Sequence, residues 1–207
     1  HVEVLRLLCE SRAEQDKATQ DGRTPLYLAS QLGHLEAARL LCDNGADKDS
    51  AMEDGASPLY VAALQGFDEV VRILCDNGAD KDLAAQNGAT PLYIASQRGN
   101  REVVRALCES GAEKGKPMQY GAMPLHIASS TGHLEVVRIL CNGPGVDRDA
   151  AMHNGGTALY LAAQNGHAEL VRFLCENGAD KHRATPHGTT PMHIAAQHGH
   201  CEAVLAL

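Results

Sequence analysis

Tryptophan is absent from this 207-residue chain, phenylalanine occurs twice, and aromatic residues together reach only 3%. Hydrophobic residues nevertheless make up 44%, so the apolar content is mainly Ala, Leu, Val and Ile. That composition suits thin, closely packed helices rather than one bulky core. An excess of basic residues is missing too: the net charge is −8, which argues against nucleic acid as the main partner. No apolar run approaches the roughly 20 residues that a spanning helix needs, so no membrane insertion is expected. The chain has no phosphate-cradling GxxxxGKS/T, no HExxH, no GxSxG elbow and no CxxC pair. Acids and histidines are plentiful, but they fall in repeating columns, and a residue repeated along an array is not a unique active site. We therefore expect no enzyme activity, no cofactor and no metal; a small-molecule ligand is not expected either.

What is present is repetition. DGRTPLYLASQLGHLEAARLLC spans Asp21 to Cys42, and DGASPLYVAALQGFDEVVRILC spans Asp54 to Cys75. The glycine that opens each copy recurs at Gly22, Gly55, Gly88, Gly121, Gly155 and Gly188, at intervals of 33, 33, 33, 34 and 33. Within one copy, Thr24 is a natural N-cap and Pro25 sits at the first helical position, where its missing N–H costs nothing. Leu26, Leu28 and Ala29 give a short helix its apolar stripe, and Gly33 can stop it in the left-handed region. A second helix is expected over about Leu35 to Asp43, with Ala38, Leu41 and Cys42 inward and Gly45 ending it. The polar, turn-rich stretch that follows reads as an extended finger. Two helices this short cannot hold together alone, but stacked copies bury a continuous core.

The tetrapeptides TPLY, SPLY, TPLY, MPLH, TALY and TPMH, with GHLEVVRIL at Gly132 to Leu140 and NGAD at Asn77 to Asp80, resemble the ankyrin repeat over the whole chain. The expected fold class is all-α, an ankyrin-type helical solenoid with finger loops between repeats. The period divides the chain into a partial repeat at 1–19, full repeats at 20–52, 53–85, 86–118, 119–152 and 153–185, and a partial repeat at 186–207. His1 to Ser11 matches only a second helix, and neither end shows a polar capping repeat, so the array is expected to continue beyond this segment. The middle is least regular. Glu113 to Ala158 contains Gly115, Pro117, Met123 in place of the capping Thr, the extra residue near Pro144, and Ala158 in place of Pro.

Cys9, Cys42, Cys75, Cys108, Cys141 and Cys175 form one column. Helices about 8–10 Å apart hold such thiols too far apart for disulfides, so they read as small hydrophobes. A row of free thiols favours a reducing, intracellular compartment such as the cytoplasm. The grouped His193, His198, His200 and Cys201 would not share one helix face, since five residues separate the first two histidines. His200 also fills the GH position that recurs as His34, His133 and His167, which favours structural or solvated roles over a metal site. Glu36/Arg39, Glu69/Arg72, Glu102/Arg105, Glu135/Arg138 and Glu169/Arg172 read as i,i+3 pairs on a solvated outer face. Lys48, Lys81, Lys114, Arg148 and Lys181 each follow an acid, which cancels their field.

The resemblance implies binding to a protein partner through finger tips and the exposed side of the first helices. The alternative is a docking or structural region of a larger multidomain enzyme, channel or assembly. Positions that differ between copies and point outward are the candidate contacts. They are Glu53, Asp54, Leu64, Arg98, Met118, Gln119, Tyr120, His153, His187 and His198. Leu64 is expected to be an exposed apolar residue, and Tyr120 stands apart from the tyrosines of the regular PLY column. Tyr and Arg are enriched at binding hot spots, so the expected strip runs from Glu53 and Leu64 through Arg98 to Tyr120 and His153.

Overall fold

The computed structural model describes residues 14–143 and 146–207. The expectations for His1 to Ser11, for Cys9 and for Pro144 lie outside the described residues. The chain divides into two compact units, His1–Glu113 and Lys114–Leu207. The boundary falls in the irregular stretch near the end of the 86–118 repeat.

In the first unit the order is α1 (Pro25–Leu32), α2 (Leu35–Asp43), α3 (Pro58–Gln65), α4 (Asp68–Asp76), α5 (Pro91–Arg98) and α6 (Arg101–Glu109). In the second it is α7 (Pro124–Thr131), α8 (Leu134–Cys141), α9 (Ala158–Gln164), α10 (Ala168–Glu176), α11 (Pro191–Gln197) and α12 (Cys201–Ala206). Among the described residues there is no strand beyond one isolated bridge, Ala151 to Thr157.

The first helix of each pair starts as its sequence requires. Thr24, Ser57 and Thr90 accept the N–H of Tyr27, Tyr60 and Tyr93 at 3.2, 3.1 and 3.1 Å. Met123 has no such oxygen and makes no side-chain cap. The lost bond is offset from the third helical position, where Nδ1 of His126 accepts the Met123 N–H at 3.0 Å. The second helices begin without a side-chain cap of their own at His34, Phe67, Asn100, His133, His167 and His200. Several of these side chains reach across to the preceding repeat instead, where first-helix carbonyls lack intrahelical partners. Asn100 Nδ2 donates to the Ala63 carbonyl at 2.9 Å, His167 Nε2 lies 3.0 Å from the Ser130 carbonyl, and His200 Nε2 lies 3.0 Å from that of Gln164. Each crosses the face of the preceding left-handed glycine. A Cβ on Gly132 would lie 2.6 Å from the His167 ring. Glycine is therefore required there for space as well as for its φ of 80°.

The core of each unit is two columns of small and branched residues. Leu59 and Leu92 in the first unit and Leu159 in the second are fully buried, as are Val71, Val104 and Val171 of the second helices. Burying one Leu contributes roughly 1.5–3 kcal/mol, so the column supplies most of the stacking energy. Cys42, Cys75 and Cys141 are buried, and burial raises their thiol pKa values. Cys42, Cys75, Cys141, Cys175 and Cys201 form no disulfide.

The fingers are tied by carboxylates. Asp49 and Asp82 accept the backbone N–H of Asp80 and Glu113, 31 residues on, at 2.9 and 3.0 Å, and Asp16 and Asp149 do the same for Asp47 and Asp180. Asp47, Asp80 and Asp147 accept the N–H two residues on within their own turns. The acids beside the lysine column are thus hydrogen-bond rungs rather than counter-charges alone. Lys114 and Lys181 extend to the carbonyls of Asn142 and Leu207, both at 2.7 Å. Arg39, Arg105 and Arg138 pair with the glutamate three residues back, as expected. Arg72 does not: it reaches Glu109 of the next repeat at 3.0 Å. Arg138 also stacks over Phe173 of α10, 4.5 Å from the ring centre.

Candidate protein-binding surface

Each finger closes as a tight hairpin whose two tip residues are held away from the core. In the first unit Met52 donates its N–H to the Ala56 carbonyl at 3.0 Å and accepts from Gly55 at 2.8 Å, which leaves Glu53 and Asp54 at the tip. Ala85 with Ala89 and Gly88 presents Gln86 and Asn87 in the same way. In the second unit the tip pairs are Gln119 with Tyr120, His153 with Asn154, and Pro186 with His187, closed by Met118, Met152 and Thr185. Successive tips are linked, since Gln86 donates its N–H to the Asp54 carbonyl and His153 to that of Tyr120, both at 2.9 Å.

The residue before the glycine does local work in most copies. Asp54, Asn87 and Asn154 accept the N–H two residues on at 3.0, 2.9 and 3.0 Å, fixing the turn with a side-chain oxygen. Tyr120 has no such acceptor. It is the one non-glycine residue with positive φ among the described residues (φ 62°, ψ 16°), and its side chain is 73% exposed. A tyrosine in the left-handed region costs about 1 kcal/mol or more.

The candidate residues fall as follows. In the first unit Glu53, Asp54 and Arg98 are exposed. Leu64 is half-buried rather than exposed, at a helix end where the Asn100 side chain of the next repeat reaches the Ala63 and Leu64 carbonyls. Leu32, at the position Gln65 and Arg98 occupy in later copies, is the exposed apolar residue of this row at 59%. In the second unit Gln119, Tyr120, His153, His187 and His198 are exposed, and Met118 is half-buried at the base of its hairpin. The structure groups Glu53 with Asp54 and, separately, Tyr120 with Gln119 and His153. His198 stacks on His200 at 5.9 Å, near the start of α12.

The tyrosines of the PLY column are not all core. Tyr27 and Tyr93 are buried, but Tyr60 and Tyr160 are half-buried. Burial, and then the nearby Asp54 carboxylate, push the Tyr60 phenol above its usual pKa, while Arg98 pulls the other way. Tyr60, Asp54, Ala56, Ala85, Gln86 and Asn87 line a cleft of about 400 Å³ between two fingers of the first unit. Sequence reasoning assigned Tyr60 to packing because its column looks uniform; the adjacent carboxylate was the available signal. Among the described residues no group of three or more His, Cys, Asp or Glu side chains could hold a metal ion. None of their helices is long and apolar enough to cross a membrane.

Paired short helices, finger hairpins and a 33-residue period define a helical repeat protein whose exposed tips vary while its core does not. The family described as ankyrin repeats (3 copies) matches residues 1–52, 44–118, 77–151 and 125–207, and the chain belongs to it. Among solved structures it is similar to one described as the crystal structure of EF0377, an ankyrin repeat protein. The two share 26% identity at a TM-score of 0.82, over 91% of this chain and 98% of that one. No curated protein matches. Ankyrin repeats are in general protein–protein interaction modules, and the family is typically non-enzymatic.

Proposed function

We propose that the chain binds a protein partner through its finger tips and the exposed ends of its first helices. The contacts are Glu53, Asp54, Arg98 and the neighbouring Leu32 and Leu64 in the first unit, and Met118, Gln119, Tyr120, His153, His187 and His198 in the second. The observation that carries the reading is Tyr120. An aromatic side chain stands 73% exposed at a tip, on left-handed backbone that no other described non-glycine residue adopts, at a place where four other copies carry Asp or Asn. Such a residue lowers the stability of the free protein, and a rigid aromatic ring is what a protein interface uses as an anchor.

The test is affinity capture with the wild-type chain, identification of the retained protein, and titration of that protein against Tyr120→Ala and Arg98→Ala. Affinity should fall about 30-fold or more for Tyr120→Ala, equivalent to ~2 kcal/mol, with thermal unfolding no lower than wild type. Undiminished affinity in both variants would move the site off these surfaces.

A further inference from the structure

The cleft between the second and third fingers has a chemistry of its own. Asp54 presents one carboxylate oxygen to the Ala56 N–H at 3.0 Å, and among the described residues it forms no ion pair. Its counterpart one repeat earlier, Asp21, is paired with Arg23 at 2.8 Å. The opposite wall is Gln86 and Asn87, with Gln86 tied across to the Glu53 carbonyl, and the half-buried Tyr60 ring closes one side. Asp54 and Tyr60 line the same cleft, and after burial the Asp54 carboxylate raises the Tyr60 pKa while Arg98 opposes it. Glu53, next to it on the same tip, adds a second negative charge, whereas the tips of the second unit carry no acid. A volume of about 400 Å³ lies within the range of sites that enclose a side chain or small ligand.

Resting on the protein-binding reading, we propose that this cleft receives an arginine side chain of the partner. The guanidinium pairs with the Asp54 carboxylate and stacks on the Tyr60 ring. A planar cation satisfies both groups at once, through charge-assisted hydrogen bonds on its edge and cation–π attraction on its face. The side-chain amides of Gln86 and Asn87 supply the polar rim. The cleft thus selects a basic segment, which agrees with the net charge of −8.

The experiment needs no partner, so it can fail or succeed apart from the Tyr120 test. Acetyl-arginine-amide is titrated into the full 207-residue chain, followed by amide NMR shifts at low salt, with the neutral isostere acetyl-citrulline-amide alongside. The variant is Asp54→Asn, which keeps the turn because Asn87 and Asn154 already make the same bond in other copies. The expected result is saturable shifts at Asp54, Ala56, Ala85, Gln86 and Asn87 with the arginine probe. Binding should be at least fivefold weaker for Asp54→Asn and fivefold weaker for citrulline. Equal binding of citrulline, equal binding by Asp54→Asn, or shifts scattered over the other acids without saturation would overturn the proposal.

Discussion

His126 illustrates how much a single substitution in a repeated column can change. Four copies place Tyr at this position, and His126 is only 2% exposed. Its Nδ1 accepts the Met123 N–H at 3.0 Å, so that nitrogen carries no proton, and Nε2 donates to the Ala150 carbonyl at 2.9 Å. Burial lowers its pKa below the ordinary histidine value of 6.5, and the Ala150 bond only partly opposes this. A depressed histidine is neutral when folded while the unfolded chain takes up a proton. Its contribution is therefore full above about pH 6.5 and is lost as pH falls from there toward the folded pKa. Urea unfolding at pH 7.5 and 5.0 should show a larger loss for wild type than for His126→Tyr, which carries the residue of four other copies. Equal losses would mean His126 does not titrate on unfolding. The sequence showed Met123 as a missing cap, but the compensation was hidden, because it depends on a ring nitrogen choosing between two carbonyl and amide partners in space.

The helix pair and its finger obey two rules that the period alone could not reveal. Local signals (Thr–Pro at helix starts, Gly at their ends) were legible because capping acts within four residues. The bonds that join repeats connect residues about 31 to 37 positions apart, so they appear only once neighbours are stacked. The glycine seam gives a paired test inside one repeat. Gly166 (φ 74°) and Gly178 (φ 86°) carry the same backbone cost for alanine, but a Cβ on Gly166 would lie 2.7 Å from His200 and one on Gly178 meets nothing within 4 Å. Gly166→Ala should be the more destabilising by about 1 kcal/mol or more in chemical denaturation. Equal costs would remove the steric role of the seam. The carboxylate rungs offer the converse experiment. Gly115 occupies the place of Asp49 and Asp82, has open space around its Cβ position, and leaves the next finger without its rung. Gly115→Asp should stabilise the chain by about 1 kcal/mol through a new bond to the Asp147 N–H. An unchanged or lowered Tm would show that this finger follows a different register.

At the scale of the whole molecule, membership of the ankyrin-repeat family and the all-α solenoid were legible from the period, since one repeated pattern implies one repeated unit. The surface was legible only in outline. Variation between copies marked the tips, but it could not distinguish Leu64, half-buried, from Leu32, left open. Nor could it show that Tyr120, alone among the described non-glycine residues, takes a left-handed backbone. On the proposed reading that residue sets stability against binding, and the decisive measurement uses the opposition. In Tyr120→Asn the tip regains the side chain that Asn87 and Asn154 use to fix the same turn. Thermal unfolding and titration of the captured partner are then measured on the same preparation. The account predicts a Tm raised by about 2–4 °C, equivalent to ~1 kcal/mol for a chain of this size, together with an affinity at least 30-fold weaker. A raised Tm with unchanged affinity would contradict it, by showing Tyr120 to be a tolerated surface substitution and not the anchor of the interface.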